Sequence, residues 1–385
     1  MRISHFYRFL GRPSDGTSLS VIALCNELNK IPGIKAELYN SNHQYCSRQD
    51  EIQTLNPYRC LLSFLLAGRH GRPPLKNALT AFDIIHIHGA YFSLENIVLA
   101  RAARFSGIPY VYSPHMIIHC PEVIRNNVKR KIFRRMVGLG MLNGAAWVQA
   151  NTERERGLLK SYGVTTPIRI ILNGITAPTG IVDNRVKDLI SNLARPRVGF
   201  LGRLDWRTKG LDLLLEGYAH FARKVGDDAG CLILAGPDWN NSIRTLNKMA
   251  LDLKIEQRTK FIGEISFEAA QQFLRDLDVL VLPSRFESFG RVVPEAGLAG
   301  CPVIVTKTIP ISDLVAEKRV GLVVDFSAIS LAHALEAILS NYGLRTALGA
   351  NGRERWKEQY WSATAEAAAS AYHQTLLSKN TFKNI

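Results

Sequence analysis

Short apolar runs alternate with longer segments of helical period along this chain, and that alternation predicts parallel α/β architecture. In the first half the apolar runs put strands near residues 2–6, 34–39, 83–87, 109–112, 146–149 and 168–171. After Asn173-Gly174 the pattern lapses into Ile175-Thr-Ala-Pro-Thr-Gly180 and a charged stretch reaching Pro196, which reads as an interdomain linker over 176–196. Strands resume near 197–201, 231–235, 259–262, 279–282, 302–305 and 321–324, and helices follow over roughly 342–377. The expected organisation is one doubly wound domain over 1–175 and a second over 197–360, with no internal repeat.

Composition narrows the class. A chain of 385 residues is long for a single core and comfortable for two, and 46% hydrophobic with 21% charged residues is the balance of a soluble globular protein. The opening Met1-Arg-Ile-Ser-His-Phe-Tyr-Arg-Phe-Leu-Gly11 carries arginines inside its apolar stretch, so it reads as a first strand rather than a signal peptide. No apolar run has the length to span a bilayer, and the expected location is the cytoplasm. Six cysteines, at 25, 46, 60, 120, 231 and 301, include no Cys-x-x-Cys pair, so neither zinc nor a disulfide framework is expected.

A net charge of +15 favours anionic partners. The densest cluster lies in 124–137, where Ile124, Val128, Ile132, Phe133, Met136 and Val137 recur at helical spacing among six cations. One reading is an ordinary surface helix docked by its apolar side. The other is a basic face resting on anionic headgroups at the inner face of the cytoplasmic membrane. Nucleic acid is not expected, because no binding motif accompanies the charge.

Two segments carry candidate chemistry. In Arg285-Phe-Glu-Ser-Phe-Gly-Arg-Val-Val-Pro-Glu-Ala-Gly-Leu-Ala-Gly-Cys-Pro-Val-Ile304, Glu287 falls on a strand-to-helix loop and Glu295 in an early helical turn, since Pro294 fits the first turn of a helix. That is the edge of a doubly wound sheet where ligands collect, with helix-start amides suited to anionic or hydroxyl groups. One carboxylate is a candidate for a ribose diol and the other for a sugar. In Gly199-Phe-Leu-Gly-Arg-Leu-Asp-Trp-Arg-Thr-Lys-Gly210 a short strand runs into glycine and then two spaced cations, Arg203 and Lys209, a pair able to grip a diphosphate. Taken singly, each of these residues is a solvated loop charge; the two segments together favour the functional reading.

Three further features flank a candidate cleft. His86-Ile-His-Gly89 ends the third strand and His115 lies just after the fourth, so His88, Gly89 and His115 belong to the sheet edge that binds ligands. No carboxylate completes a metal-ligand set at useful spacing, and no metal is expected there. The loop from Gly11 to Thr17 leads into a helix beginning near Ser18, and Gly16 is the one glycine beside that helix.

With the Gly-Arg…Lys-Gly loop at 202–210, the paired glutamates around Phe289-Gly290, and Asn173-Gly174-Ile175 closing the first domain, the chain resembles the retaining glycosyltransferases of family 4 over nearly its whole length. The resemblance implies the glycosyltransferase-B (GT-B) fold, two Rossmann-like domains facing across a cleft, with a terminal helix, here about 361–385, crossing back onto the first domain. It implies a nucleoside-diphosphate-sugar donor, with Arg203 and Lys209 on the diphosphate and Glu295 on the ribose hydroxyls. Glu287, Ser288 and the amides of Phe289 and Gly290 would hold the transferred sugar, with His115 beside it and Gly16 as a candidate phosphate contact. Base recognition is expected near Gly263 to Ser266. No cofactor and no metal are implied; the acceptor would be a hydroxyl on a lipid-linked or cell-surface polysaccharide or lipopolysaccharide intermediate. A nucleotide-sugar epimerase of the same fold and a non-catalytic membrane-docking protein are the competing classes.

Overall fold

The computed structural model describes residues 1–8, 16–40, 52–54, 79–89, 93–115, 137–178 and 184–381. The basic segment 124–136 and the loop residues 11–15 lie outside them.

The described residues form two compact units, Met1–Gly174 with Trp361–Ile385, and Ile175–Tyr360. The first holds β1 (Arg2–Tyr7), β2 (Lys35–Asn40), β3 (Ile52–Thr54), β4 (Ile84–His88), β5 (Tyr110–Ser113), β6 (Trp147–Ala150) and β7 (Ile168–Ile170). They pair in parallel in the order β3-β2-β1-β4-β5-β6-β7. The second holds β8 (Arg197–Leu201), β9 (Cys231–Ala235), β10 (Thr259–Gly263), β11 (Val279–Leu282), β12 (Val303–Thr306) and β13 (Gly321–Val324), ordered β10-β9-β8-β11-β12-β13 and again parallel. Both orders reverse once, between β1 and β4 and between β8 and β11, and in a doubly wound sheet the crevice beyond the carboxyl ends of the two strands at that reversal is where ligands bind.

In the second unit the interior strands β9 and β11 are apolar throughout because helices cover both faces of a parallel sheet. β9 and β11 are buried at every position. Apolar Val21, Leu24, Cys25 and Leu28 of the Gly16–Leu28 helix meet Trp361, Ala365, Ala368 and Tyr372 of the Trp361–Thr381 helix in one core. Small residues let that last helix lie close: a side chain at Gly174 would collide with Trp361. Trp147 Nε1 also donates to Thr375 Oγ1 at 2.9 Å.

Three local expectations change. The stretch read as linker contains a helix, Asn184–Ser191, within the second unit, because Val186 and Ile190 stand four apart and are both buried. The edge strand β3 is too short to give a period in sequence. The first helix starts at Gly16, two residues before the expected position, so Gly16 is its first residue rather than its neighbour.

Candidate active site

In the second unit the turns after β8, β9 and β10 lie against one another. Gly202 N donates to Ala235 O at 3.0 Å and Gly236 N to Gly263 O at 2.7 Å. Gly236 has φ 140°, and a Cβ there would collide with the Gly202 carbonyl, so only glycine permits the approach. The Arg203 guanidinium that follows stacks on Trp239, 4.3 Å from ring centroid to Cζ, and lies 3.7 Å from Asp205 Oδ2. Arg203 Nε is enclosed without a hydrogen-bond partner, while 37% of the side chain stays exposed. Stacking thus aims a cation and leaves its face open.

Asp205 shapes the next turn. Its carbonyl accepts from Lys209 N at 2.9 Å and its carboxylate from Thr208 N at 3.2 Å. The turn closes at Gly210, φ 63°, whose α-carbon sits where a Cβ would strike the Pro283 carbonyl. Thr208 O accepts from Arg285 N at 3.0 Å, stitching this turn to the one after β11. Arg285 also grips Asp212 with both Nη atoms, at 2.7 and 2.6 Å.

The stitching brings two predicted residues into direct contact: Lys209 Nζ donates to Glu287 Oε1 at 2.6 Å. The same oxygen accepts from Ser284 Oγ at 3.0 Å, and the Ser284 carbonyl accepts from the hydroxyls of Thr306 and Thr308 at 3.0 and 2.9 Å. Glu287 is buried and Ser288 beside it partly so. Phe289 anchors the loop in the core, and Gly290, φ 87°, turns the chain into the Val292–Ala299 helix. The amides of Phe289 and Gly290 take no hydrogen bond among the described residues. Glu295, in the first turn, pairs with Arg291 Nη2 at 3.3 Å; burial holds its pKa above the ordinary carboxylate value against the opposing guanidinium.

In the first unit a histidine missing from the sequence reading joins the predicted ones. His5 on β1 pairs in register with His86 on β4, and Tyr7 with His88. His5 Nδ1 and His88 Nε2 are 3.0 Å apart, and His88 Nδ1 and His115 Nε2 3.2 Å. His115 has φ 49°, a left-handed backbone. Gly89, φ 111°, donates to Ser113 O at 3.0 Å and accepts from Tyr112 OH at 2.8 Å, which fixes the end of β4. All four imidazoles are buried, and burial lowers their pKa: to about 3 for His5, about 4 for His115, and well below the ordinary value for His86 and His88. They are neutral at pH 7.

Nitrogens of His5, His86 and His88 lie within 4.8 Å of one another, a spacing that raises the question of a metal. The geometry does not fit one. His86 uses both nitrogens, on Tyr372 OH and Ser113 Oγ, each at 2.6 Å. The His86 and His88 rings stack at 3.9 Å with 27° between planes, so their in-plane lone pairs run side by side rather than converge on an ion. Gly16 accepts from Ser20 Oγ at 2.9 Å and has open space around its α-carbon.

Sequence comparison decides the family. The model described as Glycosyltransferase Family 4 matches residues 14–177, and the one described as Glycosyl transferases group 1 matches residues 183–355. The chain belongs to glycosyltransferase family 4. This glycosyltransferase is 26% identical over 358 residues to D-inositol 3-phosphate glycosyltransferase of Pseudarthrobacter chlorophenolicus, covering 91% of this chain and 79% of that protein. It is 26% identical over 398 residues to the enzyme of the same name from Corynebacterium glutamicum, covering 95% and 93%. Among solved structures, Anabaena HepE in complex with UDP superposes with a TM-score of 0.77 at 20% identity, over 97% of this chain and 100% of that one. Sucrose-phosphate synthase from Thermosynechococcus elongatus gives 0.75 at 20%, over 98% and 99%. The glycosyltransferase therefore has the GT-B fold, built from two Rossmann-like units. Among its described residues no helix is long and apolar enough to cross a membrane.

Proposed function

We propose that this glycosyltransferase moves a sugar, with retention at the anomeric carbon, from a nucleoside-diphosphate-sugar to an acceptor hydroxyl. The observation that carries the reading is the Lys209–Glu287 pair beside the unbonded amides of Phe289 and Gly290, at the reversal point of the second sheet. The bond from the anomeric carbon to the donor phosphate breaks, the acceptor oxygen bonds to that carbon, and the acceptor proton passes to the leaving phosphate. Arg203 and Lys209 stabilise charge accumulating on the diphosphate, so the reaction proceeds without a metal. Glu287, Ser288 and the two amides hold the transferred sugar, Glu295 the ribose hydroxyls, and His115 meets the sugar.

The net charge of +15 favours an anionic acceptor. Two classes qualify: a lipid-linked glycan intermediate met at the inner face of the cytoplasmic membrane, and a soluble phosphorylated polyol. The relatives named for D-inositol 3-phosphate favour the second.

The test is nucleotide release from UDP-, GDP- and ADP-sugars, with EDTA present or absent, for the wild type, Lys209→Ala and Glu295→Ala. Expected is turnover of one donor that survives EDTA, falls in both variants, and rises with the matching acceptor. Turnover equally fast in the variants would refute the site. Sugar epimerised without any acceptor would establish the epimerase instead, and lipid binding with no turnover the docking protein. The anomeric configuration of the product, read by NMR, decides retention.

A further inference from the structure

Buried polar groups in the first unit fix their own proton positions. Gln149 Nε2 donates to Ile171 O at 2.9 Å, which turns Gln149 Oε1 toward Ser113 Oγ, 3.0 Å away. Ser113 donates to that oxygen, so Ser113 Oγ receives the His86 Nε2 proton at 2.6 Å. His86 Nδ1 is then unprotonated and accepts from Tyr372 OH at 2.6 Å. Every hydrogen in this array has one position, and none is left for His5 or His88.

The second array, His5–His88–His115, has two possible polarities. Each neutral imidazole carries one N–H. If His115 Nε2 donates inward to His88 Nδ1, then His88 Nε2 donates to His5 Nδ1 and the His5 proton sits on Nε2. That atom is fully enclosed and has no partner, so a buried N–H would be orphaned. If His5 Nδ1 donates outward to His88 Nε2, then His88 Nδ1 donates to His115 Nε2 and the His115 proton sits on Nδ1. The His5 Nε2 lone pair is then the sole unsatisfied site in the array. Orphaned buried N–H groups are rarer than under-satisfied acceptors, and the outward polarity wins. His115 Nδ1 has no partner among the described residues, and His115 is the most exposed of the three, 5% against 0% for His5 and 2% for His88, so the outward polarity ends at the side of the array nearest the surface.

We propose that His5 and His88 are positioning residues that hold His115 in the Nδ1–H form, making it a neutral hydrogen-bond donor to an oxygen of the transferred sugar. The role at the sugar rests on the function proposed above; the tautomer does not. His115 in this state is no general base, because its lone pair is occupied by the His88 proton. It gives a fixed N–H to an oxygen without taking up charge.

The experiment joins a spectrum to kinetics. In protein with 15N-labelled histidine, the His115 signals are assigned by their loss in His115→Gln, and long-range 1H–15N correlations report which ring nitrogen is protonated. Expected is the Nδ1–H form in the wild type at neutral pH. His5→Leu removes the donor to His88 and should lower kcat about tenfold with little change in donor KM; His5→Asn, whose amide overlays His5 Nδ1, should restore kcat to within about threefold. An Nε2–H signal for His115 in the wild type would overturn the proposal even if neither variant folded, and equal kcat losses in the two variants would overturn it as well. If His115→Gln turns over donor at the wild-type rate, His115 has no part at the sugar, and the functional half falls while the tautomer stands measured.

Discussion

Lys209 and Glu287, 78 positions apart in sequence, are joined by a 2.6 Å charge-assisted hydrogen bond, with side chains 17% and 10% exposed. Because both are largely withdrawn from water, neither can lose its partner cheaply. Lys209→Met strands a buried carboxylate and should cost about 2–4 kcal/mol of stability, read by chemical denaturation. Adding Glu287→Gln removes the stranded charge and should recover most of that loss. Donor turnover should stay down by about 10²-fold or more in both proteins. Activity returning together with stability would mean that the pair serves folding alone.

Acid should unfold the first unit through its histidines. In the unfolded chain they protonate near the ordinary 6.5; in the folded protein His5 does so at about 3 and His115 at about 4. Between those values the unfolded state binds more protons, so stability is full above about pH 6.5 and falls as pH drops toward 4. Each such group contributes up to about 1.4 kcal/mol per pH unit. Thermal unfolding measured from pH 7 to 5 should show that decline, and His5→Asn should make it shallower by about one proton.

Gly210 tests the loop that presents Lys209. With φ 63° and the Pro283 carbonyl where a Cβ would be, alanine is strained twice. Gly210→Ala should destabilise by about 2–3 kcal/mol and lower kcat. Gly16→Ala, at a helical position with open space, should leave the melting temperature unchanged or higher. A Gly210→Ala protein with wild-type melting and turnover would show that the turn tolerates rearrangement.

Trp239 aims Arg203 by stacking. Trp239→Ala frees the guanidinium to adopt other rotamers, and donor KM should rise about three- to tenfold. Trp239→Phe should keep most of the effect of the ring. Titration of the corresponding nucleoside diphosphate gives the same comparison without turnover.

Much of this was legible in sequence because strands buried on both faces announce themselves as apolar runs, such as Val279–Leu282. Short or polar elements did not: Ile52–Thr54 has too few residues for a period, and the Asn184–Ser191 helix shows only one buried pair amid charge. At the site, Arg203, Lys209, Glu287 and Glu295 stood in loops and first turns, where a charge invites a functional reading. His5 did not, since in Ile3-Ser-His-Phe-Tyr7 it reads as one more strand residue. Its partner on β4 becomes visible only when the parallel register sets His5 beside His86. Two of the four histidines, His88 and His115, sit at or just past strand ends, and that recurrence was the one available signal.

The polypeptide leaves the first unit after Gly174 and re-enters it at Trp361, which orders events during synthesis. Residues 175–360 are one uninterrupted segment, complete as soon as they have cleared the ribosome. The first unit must wait: Tyr372, which satisfies His86, and Thr375, which satisfies Trp147, are made only after the whole of the second unit. Until they arrive, the groove beside the Gly16–Leu28 helix stays uncovered. The nascent chain thus finishes its second half before its first, and truncation near residue 360 should yield a folded second unit attached to an open, aggregation-prone first one.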